Sequence, residues 1–378
     1  MMGYLLWLVL LGALLALTVV IVAIRARNMH YWLGTYLTTP QSRSKPLLSG
    51  TTVYVCVADH FEPYGGGASR EAAHERMHRW MAGYPAIARQ HRDSVGRSPC
   101  HTHFYPIEEY DPQILDQLAQ LTREGVGDVD VHYHHDGDTA DSLRAALLGF
   151  VDTLRTRHGL LRPAAGSERT PYCFVHGNWA LDNSRPDGRW CGVDNELSVL
   201  VETGCKVDFT LPSAPSDTQT RKINSIYFCR GRPGRRKSHD TGRDLVAGSW
   251  GSADELLIVQ GPLGLNWRSR KLGVIPRIEN AEISADAPPS ADRVRLWLGY
   301  APRIVGAEQH VFLKLHTHGM EEETTRMLLQ GGLELMWSEL EAQVRDRPGM
   351  QLRYVSAWEM YEIIRKIAMP AAPATAAA

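Results

Sequence analysis

The sequence predicts an α/β fold, a (β/α) barrel of about seven strands preceded by one transmembrane helix, and three observations predict it. Short strand-like runs alternate with helical stretches along most of the 378 residues, which argues for parallel βα units. Polar, mostly titratable residues crowd the C-terminal ends of those runs, where a barrel builds its sites. Near the start stands a 22-residue run without charge, "GYLLWLVLLGALLALTVVIVAI". At about 1.5 Å per residue it can cross a hydrocarbon core of about 30 Å.

Composition sets the bounds. With 44% apolar residues the chain can bury a large core, and a net charge of −1 gives no pull toward nucleic acid. The six cysteines, Cys56, Cys100, Cys173, Cys191, Cys205 and Cys229, form no CxxC pair. They are expected as free thiols, which fits a reducing compartment.

In chain order, residues 1–28 read as a transmembrane anchor, because no basic segment precedes the apolar run and no small-residue cleavage site follows it. Arg25, Arg27, Arg43 and Lys45 lie beyond the span. By the positive-inside rule they place the globular part in the cytoplasm of a single-pass bacterial inner-membrane protein, with the periplasm as the open alternative. Residues 29–50 read as a polar linker, 51–368 as the barrel, and 369–378, "MPAAPATAAA", as a disordered tail.

The strand-like runs are "TVYVCVAD", "CHTHFYP", "DVDVHYH", "PYCFVHG", "CKVDFTL", "ELLIVQGPL" and "HVFLKLHTHG". Helices are expected from Ser69 to Gly83 and Pro85, and over 111–124, 139–158, 194–203 and 320–345. The first of these contains His74, Glu75 and His78, the HExxH spelling of zinc proteases. Its apolar stripe, Ala73, Met77, Trp80, Met81 and Tyr84, leaves Glu75 pointing away, so the motif reads as the polar edge of an amphipathic helix.

The chemistry stands at the strand ends: Asp59 and His60, His101 and His103, His132 to Asp136, His176, Asp208, His316 and His318. In "DVDVHYHHDGDT", alternation puts Asp128, Asp130, His132 and His134 on one side. A row of imidazole and carboxylate suits a divalent metal, zinc first, with manganese, iron or cobalt as alternatives. The loop "FVHGNWALDNSRPDGRWCGVDNEL" offers His176, Asn178, Trp179 and Asp182 to a sugar substrate, with tryptophan as a stacking surface. Asp208, His103 and His318 take similar places.

The order "VADH", "HTHFYP", "DVDVHYHHD" and "LKLHTHG" resembles the polysaccharide deacetylase (NodB-homology) superfamily of metal-dependent, distorted βα barrels. "LKLH" matches the family's last-strand motif and "THFY" its second strand. Two alignments remain for strand one: Asp59 matches the family's catalytic base and His60 replaces its metal-binding aspartate, or Asp59 matches the metal ligand and the base position is Ala58. Four residues after His132 stands Asp136, where the family has histidine.

The resemblance implies a metal held by His60, His132, His134 and Asp136, with Asp59 as base and His316 as acid. The expected function is removal of N- or O-linked acetyl groups from a bacterial polysaccharide or lipid-linked sugar, beside envelope-polysaccharide biosynthesis machinery. Two alternatives stand beside it. One is a glycosidase-like enzyme on a related barrel, with Asp59 and Asp182, Asp194 or Asp208 as its carboxylates. The other is a non-catalytic carbohydrate-binding or assembly protein.

Overall fold

The computed structural model describes residues 2–163 and 169–369; most of the expected tail, 370–378, lies outside the described residues. Helix α1 (Met2–Ala26) stands clear of the body, and its Tyr4–Ala26 stretch has a mean hydropathy of 3.0. Among the described residues it is the one helix long and apolar enough to cross a membrane. The segment expected as a linker instead packs on the body. It contains the short helix α2 (Leu33–Thr38), and Trp32 is fully buried with Ala214, Ile223, Leu263 and Leu265.

Strand and helix then alternate: β1 (Thr52–His60), α3 (Arg70–Ala88), β2 (His101–Pro106), α4 (Pro112–Arg123), β3 (Gly127–Tyr133), α5 (Ala140–Thr156), β4 (Tyr172–His176), α6 (Glu196–Thr203) and β5 (Cys205–Asp208). Local chemistry sets these starts. Ser69 caps α3, Asp111 caps α4 ahead of Pro112, and Thr139 forms a capping box with Ser142 on α5. Helix α3 runs through Pro85 rather than ending there. Pro85 forfeits one backbone hydrogen bond, and burial of Tyr84, Pro85 and Ala88 offsets it.

The alternation then lapses. Strands β6 (Ile226–Cys229), β7 (Arg243–Asp244), β8 (Leu256–Val259), β9 (Gly264–Lys271), β10 (Ile275–Glu279) and β11 (Glu282–Ile283) follow one another with no α-helix between them. The chain finishes with α7 (Ala291–Tyr300), β12 (Arg303–Ile304), β13 (Ala307–Thr317), α8 (Glu322–Met327), α9 (Leu333–Leu340), β14 (Gln351–Tyr354) and α10 (Ala357–Ala368).

One 12-stranded, mostly parallel sheet organises the chain, in the order β11-β13-β1-β2-β3-β4-β5-β8-β6-β7, with β12 beside β13 and β14 beside β1. The sequence-read strands are β13, β1, β2, β3, β4, β5 and β8, all neighbours on this path. The closed barrel is not shown. The ladder has two ends, β11 and β7, and a single parallel bridge, Val246 to Val305, links the β7 end to the chain just after β12. The reason lies in β6 and β7, which return antiparallel without a crossover helix.

Side chains alternate along β1 between two cores. Val53, Val55 and Val57 pack with the helices around Trp80, Leu118 and Leu147, whereas Tyr54, Cys56 and Ala58 pack with Phe104, Phe312 and Met360. Both faces of β1 are therefore covered, which is why it reads as nearly continuous apolar residues. All six cysteines are buried and free.

Lys314 breaks this apolar rule. It is fully buried on β13, and its Nζ has no hydrogen-bond partner. Burial pushes its pKa down to about 7, against the pull of Asp208. Between about pH 7 and its unfolded value near 10.5, the unfolded chain holds the proton and the folded chain does not, so this residue makes stability rise with pH across that window. Lys314→Met removes the buried cation. It is expected to stabilise the protein by about 2 kcal/mol or more below pH 7 and to flatten the alkaline rise, read from urea midpoints between pH 6 and 10.

Candidate functional site

Parallel register brings the strand ends to one edge. Ala58 pairs with His316 and Asp59 with Thr317 on one side of β1, and Asp59 pairs with His103 and His60 with Phe104 on the other. His132 stands beside Pro106 and Val175, and Tyr133 beside His176. His60, His132, His134 and His318, from three strand ends, gather around a residue that strand periodicity does not single out, Glu62 in the loop after β1.

Glu62 Oε1 lies 3.2 Å from His132 Nε2, 3.5 Å from His134 Nε2 and 3.9 Å from His318 Nε2. His60 packs on His132 and His318, with ring centroids 5.0 and 4.7 Å apart, and its buried Nε2 has no hydrogen-bond partner. Donor atoms of His60, Glu62 and His318, and of Glu62, His132 and His134, lie within 4.8 Å of one another.

The tautomers make this arrangement informative. His132 Nδ1 lies 2.8 Å from the Val175 carbonyl, so it carries the proton and donates. His134 Nδ1 likewise donates to Glu108 Oε1 at 2.5 Å. Both Nε2 atoms are then left with lone pairs aimed at a carboxylate oxygen, which also only accepts. A proton or a cation between them resolves the conflict. Outer hydrogen bonds from Nδ1 to carbonyl and carboxylate are the second shell of a metal-ligating imidazole.

Electrostatics divides the cluster: burial works to lower His134, but the Glu108 hydrogen bond and the Glu62 charge outweigh it and raise it, which favours a proton there. Burial pushes His60 far below its ordinary value, with His318, His132 and His316 adding to the effect, so it is a neutral, ligand-competent imidazole. Burial lowers His132 as well. For Glu62, burial works upward, but the His132 hydrogen bond and the surrounding imidazoles outweigh it and hold the carboxylate at about 2. Nearby Glu109 moves the other way. Burial pushes it up to about 7, and its Oε2 accepts from the Tyr64 N–H in the Glu62 loop at 2.8 Å.

The cavity here is small, about 50 Å³, lined by His60, Glu62, Gly65, Gly66, Arg76, His318 and Glu321. It has room for an ion and water but not for a sugar ring, so a substrate would lie across its mouth. Roomier cavities lie elsewhere on the body. Trp179 stands at the rim, its ring 6.0 Å from His60 and 5.7 Å from His318. Asn178, Trp179, Asp182 and Asn183, in the loop after β4, all have positive φ, a strain that concentrates at functional loops.

The structure thus brings together His60, His132, His134, His318 and Trp179. It places other sequence-read residues differently. Asp136 turns away and accepts from the Trp190 N–H at 2.7 Å. Asp59 is fully buried, accepting from the Gly319 N–H at 2.7 Å, and a Cβ on Gly319 would fall 2.3 Å from its Oδ2. Gly319 therefore seals Asp59 away from the mouth. His316 is buried behind His60, with ring centroids 6.3 Å apart. His103 is a core residue whose Nδ1 donates to the Asp128 carbonyl and whose Nε2 accepts from Trp80 Nε1.

Asp182 and Asp208 are fully buried, accept from Ser238 and Thr210, and are pushed up by burial to about 7. His176 lies at a separate buried cluster, and Asn178 beside it only turns the loop. His74 pairs with Asp111 at 2.9 Å and His78 is exposed, so HExxH holds nothing between its histidines. Glu108 was missed, and Glu62, close behind Asp59 and His60 in "VADHFEP", had been given no role of its own. The available signal for Glu62 was its position two residues after His60.

No family model and no curated protein matches this chain. Among solved structures, the chain aligns with a GH57 branching enzyme from the hyperthermophilic archaeon Thermococcus kodakaraensis, solved in complex with glucose. The identity is 10% and the TM-score 0.30, over 86% of this chain and 70% of that one. The deacetylase resemblance and the deacetylase function are corrected here: no family model matches the chain, and the structural likeness reported is to a branching enzyme.

Proposed function

We propose that the chain is a membrane-anchored, glycosidase-like enzyme that cleaves a glycosidic bond at Glu62, with a divalent cation, zinc or a similar first-row ion, held beside Glu62 by His60 and His318 or by His132 and His134. The observation that carries the reading is the arrangement about His134, whose two ring nitrogens face two carboxylates, Glu108 at 2.5 Å and Glu62 at 3.5 Å. A single imidazole between them keeps those carboxylates less than about 9 Å apart, within the roughly 5 to 9.5 Å that glycoside hydrolysis uses.

A cation held there would supply a Lewis acid for sugar hydroxyls and for negative charge developing on the leaving oxygen. The protein residues do the rest. Glu62 stays ionised and faces the anomeric carbon, where positive charge grows in the transition state. Glu108 accepts from His134 and holds that imidazole in place, and the adjacent Glu109, whose burial keeps a proton near neutral pH, is the proton donor. Trp179 offers a ring face to the sugar.

The test uses full-length protein in detergent with oligosaccharides of varied linkage. New reducing ends or transferred glycosyl units are expected, and Glu62→Gln abolishes them. Glu109→Gln loses activity on alkyl glycosides but keeps it on aryl glycosides, whose phenolate leaves without a proton. No cleavage or transfer with any glycan, or an undiminished rate in Glu62→Gln, overturns the reading.

A further inference from the structure

The segment that carries His132 and His134 serves a second cluster with its next residue. His135 follows β3, His176 ends β4, Cys191 lies in the loop between β4 and α6, and Glu196 opens α6. All four are buried, and one ligand atom from each lies within 4.8 Å of the others. Glu196 Oε1 is 3.2 Å from His135 Nε2 and 3.3 Å from His176 Nε2, and Cys191 Sγ is 3.4 Å from Glu196 Oε2.

Hydrogen bonding within the protein pairs Glu196 with His135 Nε2 and Cys191 Sγ but leaves His176 unresolved. His176 Nδ1 lies 2.5 Å from the Gly177 carbonyl, so it carries the proton. Its Nε2 then turns a lone pair on the Glu196 carboxylate and has no hydrogen-bond partner. His135 Nδ1 lies 3.3 Å from Asp138 Oδ2 but makes no hydrogen bond, so it is a second buried nitrogen without a partner.

We propose that His135, His176, Cys191 and Glu196 bind a second metal ion, separate from the Glu62 site and structural in role. Two nitrogens, one sulfur and one oxygen from four buried side chains make a closed set that suits zinc. The ion ties β3, β4 and α6 to the loop between His176 and Cys191. That loop holds five non-glycine residues with positive φ, Asn178, Trp179, Asp182, Asn183 and Trp190, so metal binding offsets their strain and fixes Trp179 at the rim. The inference goes beyond the glycosidase reading and does not depend on it.

The test loads metal-stripped full-length protein with Co2+ and follows its absorption. A thiolate-to-cobalt charge-transfer band, with the strong visible bands of a tetrahedral site, is expected in the unmodified protein, which needs no variant to fold. Cys191→Ser should lose the charge-transfer band and about one equivalent of bound cobalt, whereas His132→Ala should keep the band and lose a different equivalent. Cobalt bound without a thiolate band, or a band that survives Cys191→Ser, overturns the proposal. Protein that shows the band but cleaves no glycan counts against the active-site reading alone.

Discussion

Glu62→Gln is expected to lower kcat/KM for glycoside cleavage by about 10³-fold or more, about 4 kcal/mol of transition-state stabilisation, with little loss of folding stability. The two effects separate because glutamine keeps the shape of Glu62 and reverses its hydrogen bonding. In the native chain, His132 Nε2 and His134 Nε2 point lone pairs at Glu62 Oε1. An amide NH2 in that place donates to them, so the metal-free fold gains partners where it had a conflict. The ionised oxygen proposed to face the anomeric carbon is lost, and nothing else lining the cavity replaces it except Glu321 at its edge. Steady-state kinetics and urea unfolding on the same preparation check both halves. A rate within tenfold of the unmodified protein, or a stability loss large enough to explain the rate, would sink the assignment.

Much of this site was legible in the sequence, and the remainder was not, for identifiable reasons. Strand alternation placed His60, His132 and His134 at strand ends, and parallel pairing of β13, β1, β2 and β3 puts strand ends on one edge. Glu62 lies one step past β1, in a loop where no period says which way a side chain turns. Asp59 reads as a catalytic carboxylate in any strand-end motif, and only the fold shows Gly319 closing over it. His103 reads as a strand-end ligand too, yet Trp80, from α3, occupies its free nitrogen.

The fold followed the same division. Helices and strands in alternation were legible up to β5 because each is a separate burial pattern. Strands β6, β7, β11 and β12 have two to four residues each, too short for a period, and they are what keeps the sheet from a continuous ring. The linker was misread because its anchoring residues, Trp32 with Met29, Leu33 and Tyr36, are too few for a period, and their partners come from residues about 180 or more positions away.

Arg162→Leu is expected to destabilise the protein by about 3 to 5 kcal/mol, the typical cost of leaving one buried charge without its partner. Asp128 and Asp130 face the same side of β3, and the sequence offered both as metal-site neighbours of His132. The structure commits them to Arg162 instead. Arg162 Nη1 donates to Asp130 Oδ2 at 2.6 Å, its Nη2 pairs with Asp128, and its guanidinium lies 4.9 Å from the Trp358 ring centroid. Asp130 is fully buried, and its other oxygen accepts from the Cys173 N–H at 2.6 Å. Burial pushes Asp130 up to about 6, with Arg162 holding it down against that push.

A raised carboxyl stabilises the fold below its unfolded value, and that contribution is lost as pH rises through the folded value. Without Arg162 the folded value climbs further, so the penalty in Arg162→Leu is largest at neutral pH and shrinks as pH falls toward about 4. Adding Asp130→Asn to Arg162→Leu removes the stranded charge and is expected to recover part of the loss at neutral pH, which a simple packing defect at Arg162 would not allow. Urea unfolding of the two variants at pH 7 and 4.5 decides it: a loss below about 1 kcal/mol, or one that deepens on acidification, would show that the Arg162 pair is not what holds β3 in place.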